Sequence, residues 1–205
     1  MSKESPSIVF NPIPKIYDEV SGEIYFESYA IETAKRVACL NPKSVLETAC
    51  GTGRVTHHLR KNISTNAKLL ATDINPDMLA FAKEKLSSEK NIELEIADAL
   101  NLPYEDNSFD VAVCQFGAMF FPDKGKGFSE AYRVLKKNGT FIFSVWDKLE
   151  FNPLAAAGRK ILNDFFEGNP PAILKVAFTM TDKKQIGAWL EEAGFSNFKF
   201  ESAID

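Results

Sequence analysis

Short apolar runs alternate with stretches of helical period between residues 44 and 146, and the order of these elements predicts the fold. Residues 44–47 read as a buried strand, and 54–61 as a helix whose first turn follows Gly53 directly. A second run, 68–72, is closed by Asp73. The helix expected over 76–86 has Asn75 placed to cap it and Pro76 at its first position. A third run, 92–97, ends at Asp98 and leads into a loop over 99–108. The fourth strand ends in CQFGAMFF, residues 114–121. A helix capped by Asp123 is expected to end near Lys137, with Asn138-Gly139 terminating it. In the fifth strand Phe141, Phe143 and Val145 alternate with Ile142 and Ser144, so both faces read as buried, as a parallel sheet packed on two sides requires. Strands alternating with helices in this way predict an α/β, doubly wound, mostly parallel sheet with crossover helices.

The flanks differ from this core. Prolines in residues 11–14 argue against a helix before 23–40, an amphipathic candidate whose Ile24, Tyr25, Tyr29, Val37 and Leu40 could cover the sheet, with Asn41-Pro42 ending it. Beyond Trp146, residues 151–168 and 182–193 read as helices separated by a break at 169–171. A last strand is expected over 197–202, after a turn at Gly194. Leu154, Phe165, Phe166, Ile173 and Phe178 either line an apolar acceptor pocket or belong to the core.

Composition narrows the class without changing the fold. With 205 residues, 45% of them apolar, the chain can close one sizeable core as a single domain: an N-terminal portion 1–40, a core 41–147 and a C-terminal portion 148–205. A net charge of −4 gives no basic footprint for nucleic acid, and Lys136 and Lys137 read as a solvated helix end. Cys39, Cys50 and Cys114 are odd in number and widely spaced, which predicts reduced thiols and a cytoplasmic setting. The opening MSKESPSIVF has no long apolar core and is expected to be mobile. No run of 18 apolar residues occurs, so a membrane role is not expected.

The chemistry concentrates in residues 45–54, VLETACGTGR. Gly51 and Gly53 let backbone N–H groups approach a ligand, and the helix N-terminus behind them favours a negative group. A bare strand-to-helix turn would use the same two glycines. Asp73, 20 residues past Gly53, can accept from both ribose hydroxyls, and Asp98 can accept from an exocyclic amine. Glu47, Gly51, Gly53, Asp73 and Asp98 all fall on or just past strand ends, where ligands bind in such sheets. A dinucleotide dehydrogenase shares part of this pattern. However, Thr56 stands where its third small residue is needed, and Glu47 would repel a pyrophosphate while suiting an amine.

These residues resemble the class I S-adenosylmethionine-dependent methyltransferases, in particular the type 11 small-molecule group. The likeness runs from about Tyr17 to Phe200 through ETACGTGRVT, ATDINPDML, ADALNLPYEDNSFDVAVCQFGAMFF and EAYRVLKKNGTFIFSVWD. It implies a Rossmann-like sheet and S-adenosylmethionine as cofactor, with S-adenosylhomocysteine as product. It also implies in-line methyl displacement to a small-molecule acceptor. Position by position, Ala49 and Gly51 would offer backbone to the methionyl end and Glu47 would hold its amine. Asp73 would bind the ribose, Ile74 would pack on the adenine and Met78 would lie near its edge. Asp98 and the backbone of Ala99 would meet the adenine polar atoms, and Gln115 and Phe116 would line the sulfonium side. Tyr17 and Phe26 could fold over the cofactor as a lid.

Departures from the family pattern carry information too. Cys50 replaces a frequent glycine. The segment CQFGAMFF lacks the motifs of nucleobase methylation, and 114–121 contains no carboxylate, so no metal is expected. Only two histidines occur, His57 and His58, one expected in solvent and one against the sheet. No side chain identifies itself as a catalytic base. The family's seventh strand is missing, which leaves a C-terminal sheet edge as a candidate homodimer contact. The alternative reading is a non-catalytic module that binds the cofactor and reports to a protein partner. Aminopropyl transfer is disfavoured by Gln115 and Phe116.

Overall fold

The computed structural model describes residues 13–168 and 176–202 of the 205. Its centre is a parallel five-stranded sheet, β1 (Ser44–Thr48), β2 (Lys68–Asp73), β3 (Glu93–Ile96), β4 (Phe109–Gln115) and β5 (Leu135–Ser144), in the order β3-β2-β1-β4-β5. This is the doubly wound α/β sheet expected, with five strands among the described residues. The strand order reverses between β1 and β4, and all the carboxyl ends lie along one edge.

All five residues of β1 are buried because helices cover both faces of the sheet. The first face is covered by α2 (Glu27–Cys39), α3 (Arg54–Asn62) and α4 (Pro76–Lys85). Ala30, Ala34 and Val37 of α2 join Val55 and Leu59 of α3 over Val45, Leu69 and Val111. On the other face lie α5 (Lys124–Val134) and α7 (Lys183–Ala193), which bring Phe128, Ile186 and Leu190 against Cys114 and the phenylalanines of β5. A further helix, α6 (Pro153–Phe165), contains no buried residue.

Both N-caps read from the sequence hold, Asn75 accepting from the amides of Asp77 and Met78 and Asp123 from Lys126. Asp182, not singled out in the sequence, likewise caps its helix by accepting from Lys184. Gly194 ends α7 at φ 104°.

Other expectations need correction. Prolines do not keep the N-terminus from coiling: Pro14 occupies the first turn of α1 (Pro14–Ile16), where no amide donor is needed, and the chain continues as a π-helix, Tyr17–Phe26. Within that region Val37 covers the sheet as expected, but Ile24 and Leu40 are exposed and Ala30, Thr33 and Ala34 complete the face. The α5 helix stops at Val134. The pairing then jumps from Phe109 with Leu135 to Val111 with Thr140, and Asn138 at φ 65° turns the chain inside this irregularity. Lys136 is therefore no helix end, since its ammonium binds Asp110 and Ser44. Residues 197–202 form no strand, Asn197 turning the chain at φ 59°, and Glu201 is held by Arg36 of α2. The opening ten residues, the break at 169–171 and Ile173 lie outside the described residues.

At the amino ends of the strands, one carboxylate joins three segments. Asp110 accepts from the amides of Lys43 and Ser44, both at 2.8 Å, from the Ser44 hydroxyl at 3.0 Å and from Lys136 Nζ at 2.9 Å. These contacts hold its carboxyl below the ordinary range against the opposing effect of burial. A second network joins Glu130 to Arg133, Lys126 and the amide of Leu102. The sheet is thus pinned away from its carboxyl edge, where the loops are left to carry chemistry.

Candidate active site

The turn after β1 runs through three left-handed residues, Ala49 at φ 54°, Gly51 at φ 56° and Gly53 at φ 76°. The two glycines are needed for different reasons. A Cβ at Gly53 would come within 2.8 Å of Leu86 Cδ1 and 3.2 Å of Ala82 Cβ, so this glycine lets α3 approach α4. A Cβ at Gly51 would meet no protein atom within 4 Å, so this residue faces open space.

Two acids flank the turn. Glu47 is 2% exposed, and its Oε2 accepts from Thr56 Oγ1 at 2.7 Å. Burial raises its carboxyl to about 8, against the pull of the Thr56 hydroxyl, with the charge of Asp73 adding to the rise. Thr56, noted in the sequence only as an obstacle to a dinucleotide motif, is thus the partner of this acid. Asp73 takes the Gly51 amide on Oδ2 and the Asn75 amide on Oδ1, both at 2.8 Å. Burial also raises Asp73, and those backbone donors oppose the shift.

The next strand ends complete the row. Ile74, directly after β2, is 65% exposed, as a residue awaiting a flat ligand would be. Asp98 is exposed and accepts from the Leu100 amide at 2.9 Å. Ala99 is half-buried beside it, and Met78 is buried in the α4 face. Gln115 is turned towards α2, where its Oε1 accepts from Thr33 Oγ1 at 2.7 Å. Phe116 sits at φ 51°, a backbone region disfavoured for a bulky side chain.

Around Phe116 lies an aromatic cluster from four parts of the chain. Its ring stacks on Trp146 at 4.3 Å and 17°, while Tyr29 meets both edge-on and Phe26 is tilted against both. Phe178 tilts on the outer side of Trp146. Phe26, Tyr29, Trp146 and Phe178 are half-buried, so the cluster remains partly open. It adjoins the glycine turn because Gly117, with no Cβ, lets the β4 loop pack on Ala49; a Cβ there would come within 2.5 Å of Ala49 Cβ. Sequence reasoning missed Gly117, although a glycine directly after a strand-end aromatic was a usable signal.

The substrate-side residues proposed from the sequence divide. Phe178 reaches this cluster, whereas Leu154, Phe165 and Phe166 are exposed and belong neither to it nor to the core. The histidines also depart from expectation. His57 pairs with Glu89 and His58 with Glu27, so both are held in polar contacts away from the sheet. Among the described residues no helix is long and apolar enough to cross a membrane.

The residues present suit an adenosyl amino acid. Open space faces Gly51, a buried carboxylate with one hydrogen-bond partner lies behind it, a ribose acid stands on the neighbouring strand and an exposed apolar side chain follows. Comparison with known proteins agrees. The model of the ubiE/COQ5 methyltransferase family matches residues 2–167. A demethylmenaquinone methyltransferase of Staphylococcus saprophyticus is 31% identical over 98% of this chain and 91% of its own length. That of Lactococcus lactis is 34% identical over 69% of this chain and 58% of its own length. A methyltransferase-fold structure from Methanococcus maripaludis superposes with a TM-score of 0.73 over 100% of this chain and 93% of its own, at 20% identity.

Proposed function

The chain belongs to the ubiE/COQ5 methyltransferase family, and on that footing we propose that its small-molecule acceptor is a quinone-type ring, received by the aromatic cluster beside the glycine turn. The chain is an S-adenosylmethionine-dependent methyltransferase, and its relatives are enzymes, so the non-catalytic alternative has no support.

When bound, the cofactor supplies a methyl group already activated by a sulfonium. What this chain's residues contribute is alignment and dryness. Glu47 would receive the amine, Asp73 the ribose hydroxyls, Asp98 and the Ala99 backbone the adenine polar atoms, and Ile74 the adenine face. Ala49 and Gly51 offer backbone to the methionyl end. Alignment of this kind is worth up to about 7–11 kcal/mol when positioning is near ideal. A reduced quinone ring whose hydroxyl has ionised is itself a nucleophile and needs no dedicated base, which suits a site that displays none.

The observation that carries this reading is the partly open aromatic cluster. It adjoins Ala49, and its central ring, Phe116, is held on a strained backbone. Strain of that kind persists only where its surroundings enforce it. Planar rings prefer offset-stacked or edge-on neighbours, and the cluster offers both.

The test is methyl transfer from labelled cofactor to a reduced demethylated quinone, with a catechol and a thiol as competing acceptors. Quinol turnover is expected, and Trp146→Ala should raise KM for the acceptor while leaving S-adenosylhomocysteine affinity unchanged. Turnover of the catechol or thiol alone would overturn the assignment.

Two further expectations belong here. The free thiols of Cys39, Cys50 and Cys114 support a cytoplasmic setting. The β5 edge, unpaired on its outer side among the described residues, is offered as a homodimer contact, which light scattering would test.

A further inference from the structure

Glu47 and Asp73 are 2% and 8% exposed, so both acids lie buried beside the glycine turn. The π-helix is fastened to that same turn. Tyr17 at its start is half-buried with its phenol raised well above the ordinary range, desolvation being the main cause and the charge of Asp73 the next.

The fastening of this helix is concentrated in one side chain. Asp18, 7% exposed, collects donors from three places. Thr52 Oγ1 of the glycine turn lies at 2.6 Å, and Lys85 Nζ, at the end of α4, at 2.7 and 2.8 Å. Arg54 Nη2 lies 2.6 Å from the Asp18 carbonyl oxygen and 3.3 Å from Oδ1. The guanidinium also binds Glu27 at the start of α2, and Glu27 in turn holds His58. Gly22 lies directly on the guanidinium, where a Cβ would come within 2.4 Å of Nη2. Thr52, Arg54 and Lys85 belong to the cofactor-binding core, whereas Asp18 belongs to the covering segment.

We propose that Asp18 is the clasp of a cofactor lid, a positioning residue that fastens the π-helix to the glycine turn, and that cofactor entry and product release require this clasp to open. This inference rests on the cofactor site described above. Two features support a gate over a purely structural ion cluster. The cluster joins one covering helix to the glycine turn. A π-helix is rare and recurs at functional sites. Arg54 Nε, buried without a partner, is a further sign that the closed arrangement is not saturated.

Stopped-flow release of S-adenosylhomocysteine from the wild type, Asp18→Asn and Lys85→Met tests the clasp, with hydrogen exchange read over residues 17–26. Both variants should release the product about tenfold faster or more, as expected for loss of a charged hydrogen bond. They should also bind it faster, and exchange should quicken in the π-helix before any other helix. The double variant should add little to either single one. Should Asp18→Asn fail to fold, Lys85→Met reads the same contact from the core side. Lowered thermal stability with unchanged release would reduce the cluster to a structural one and overturn the clasp. Absence of binding to the wild type would instead remove the cofactor site, and the clasp with it.

Discussion

Replacing Glu47 with glutamine should make the ligand-free protein more stable while weakening its hold on the cofactor. The carboxyl is buried, accepts one hydrogen bond from Thr56 and titrates near 8 rather than at its ordinary 4.5. Because the native value lies above the unfolded one, the folded chain keeps a proton that the unfolded chain has released. Stability therefore falls as pH rises from 4.5 towards 8, by about 1.4 kcal/mol per pH unit. The accumulated cost is about 1 kcal/mol at pH 5, about 3 kcal/mol at pH 7 and about 4 kcal/mol at pH 8. Glutamine can still accept from Thr56 and has nothing to ionise. The variant should thus melt roughly 6–12 °C above the wild type at pH 7, taking about 2–4 °C per kcal/mol for a chain of this size. Melting both proteins without ligand at pH 5, 7 and 8 measures the gap directly. A gap that stays constant across this range, or a variant that melts lower at pH 7, would refute the reasoning. In titration with S-adenosylhomocysteine, the wild type should release a proton on binding at pH 7 and the variant should not.

Asp73→Ala should weaken binding of the same ligand by about 1–3 kcal/mol in calorimetry, since it removes the ribose acceptor and orphans the Gly51 amide. Glu130 behaves oppositely to Glu47. Its hydrogen bond with Arg133 leads a network that pulls its carboxyl down to about 2, so its stabilisation is complete above 4.5 and is lost as pH falls towards 2. Glu130→Gln should accordingly cost up to about 3 kcal/mol in urea unfolding at pH 7 and less at pH 4. Gly53→Ala should destabilise by about 1–3 kcal/mol in a thermal melt, because its methyl group meets Leu86 and Ala82.

The core of the fold was legible wherever a signal was local. The run at 44–47, the turn at Gly51 and Gly53, and Asp73 at the end of the next run fix strand, turn and helix from neighbours alone, and the caps Asn75 and Asp123 act within one helical turn. What escaped depends on partners distant in sequence. Thr56 gains its meaning only under Glu47, and Gly117 only against Ala49. The latch at Asp18 joins residues up to 67 apart. Two misreadings have a different cause. The prolines before the π-helix read as breakers in the sequence, although a first-turn proline loses no hydrogen bond. Residues 197–202 have strand-like composition, but a strand exists only where another strand supplies its donors and acceptors.

The empty space facing Gly51 separates two kinds of failure that usually coincide. A methyl group there touches nothing in the free protein, so an alanine variant would carry only the cost of a left-handed residue, about 1–2 kcal/mol. Cellular quality control responds to unfolding and not to lost chemistry. Such a variant would lose abundance only through that backbone cost, with no packing defect added, while the methyl group would project into the space a ligand has to fill. At this position a substitution would therefore show more strongly in an assay of ligand than in an assay of protein level.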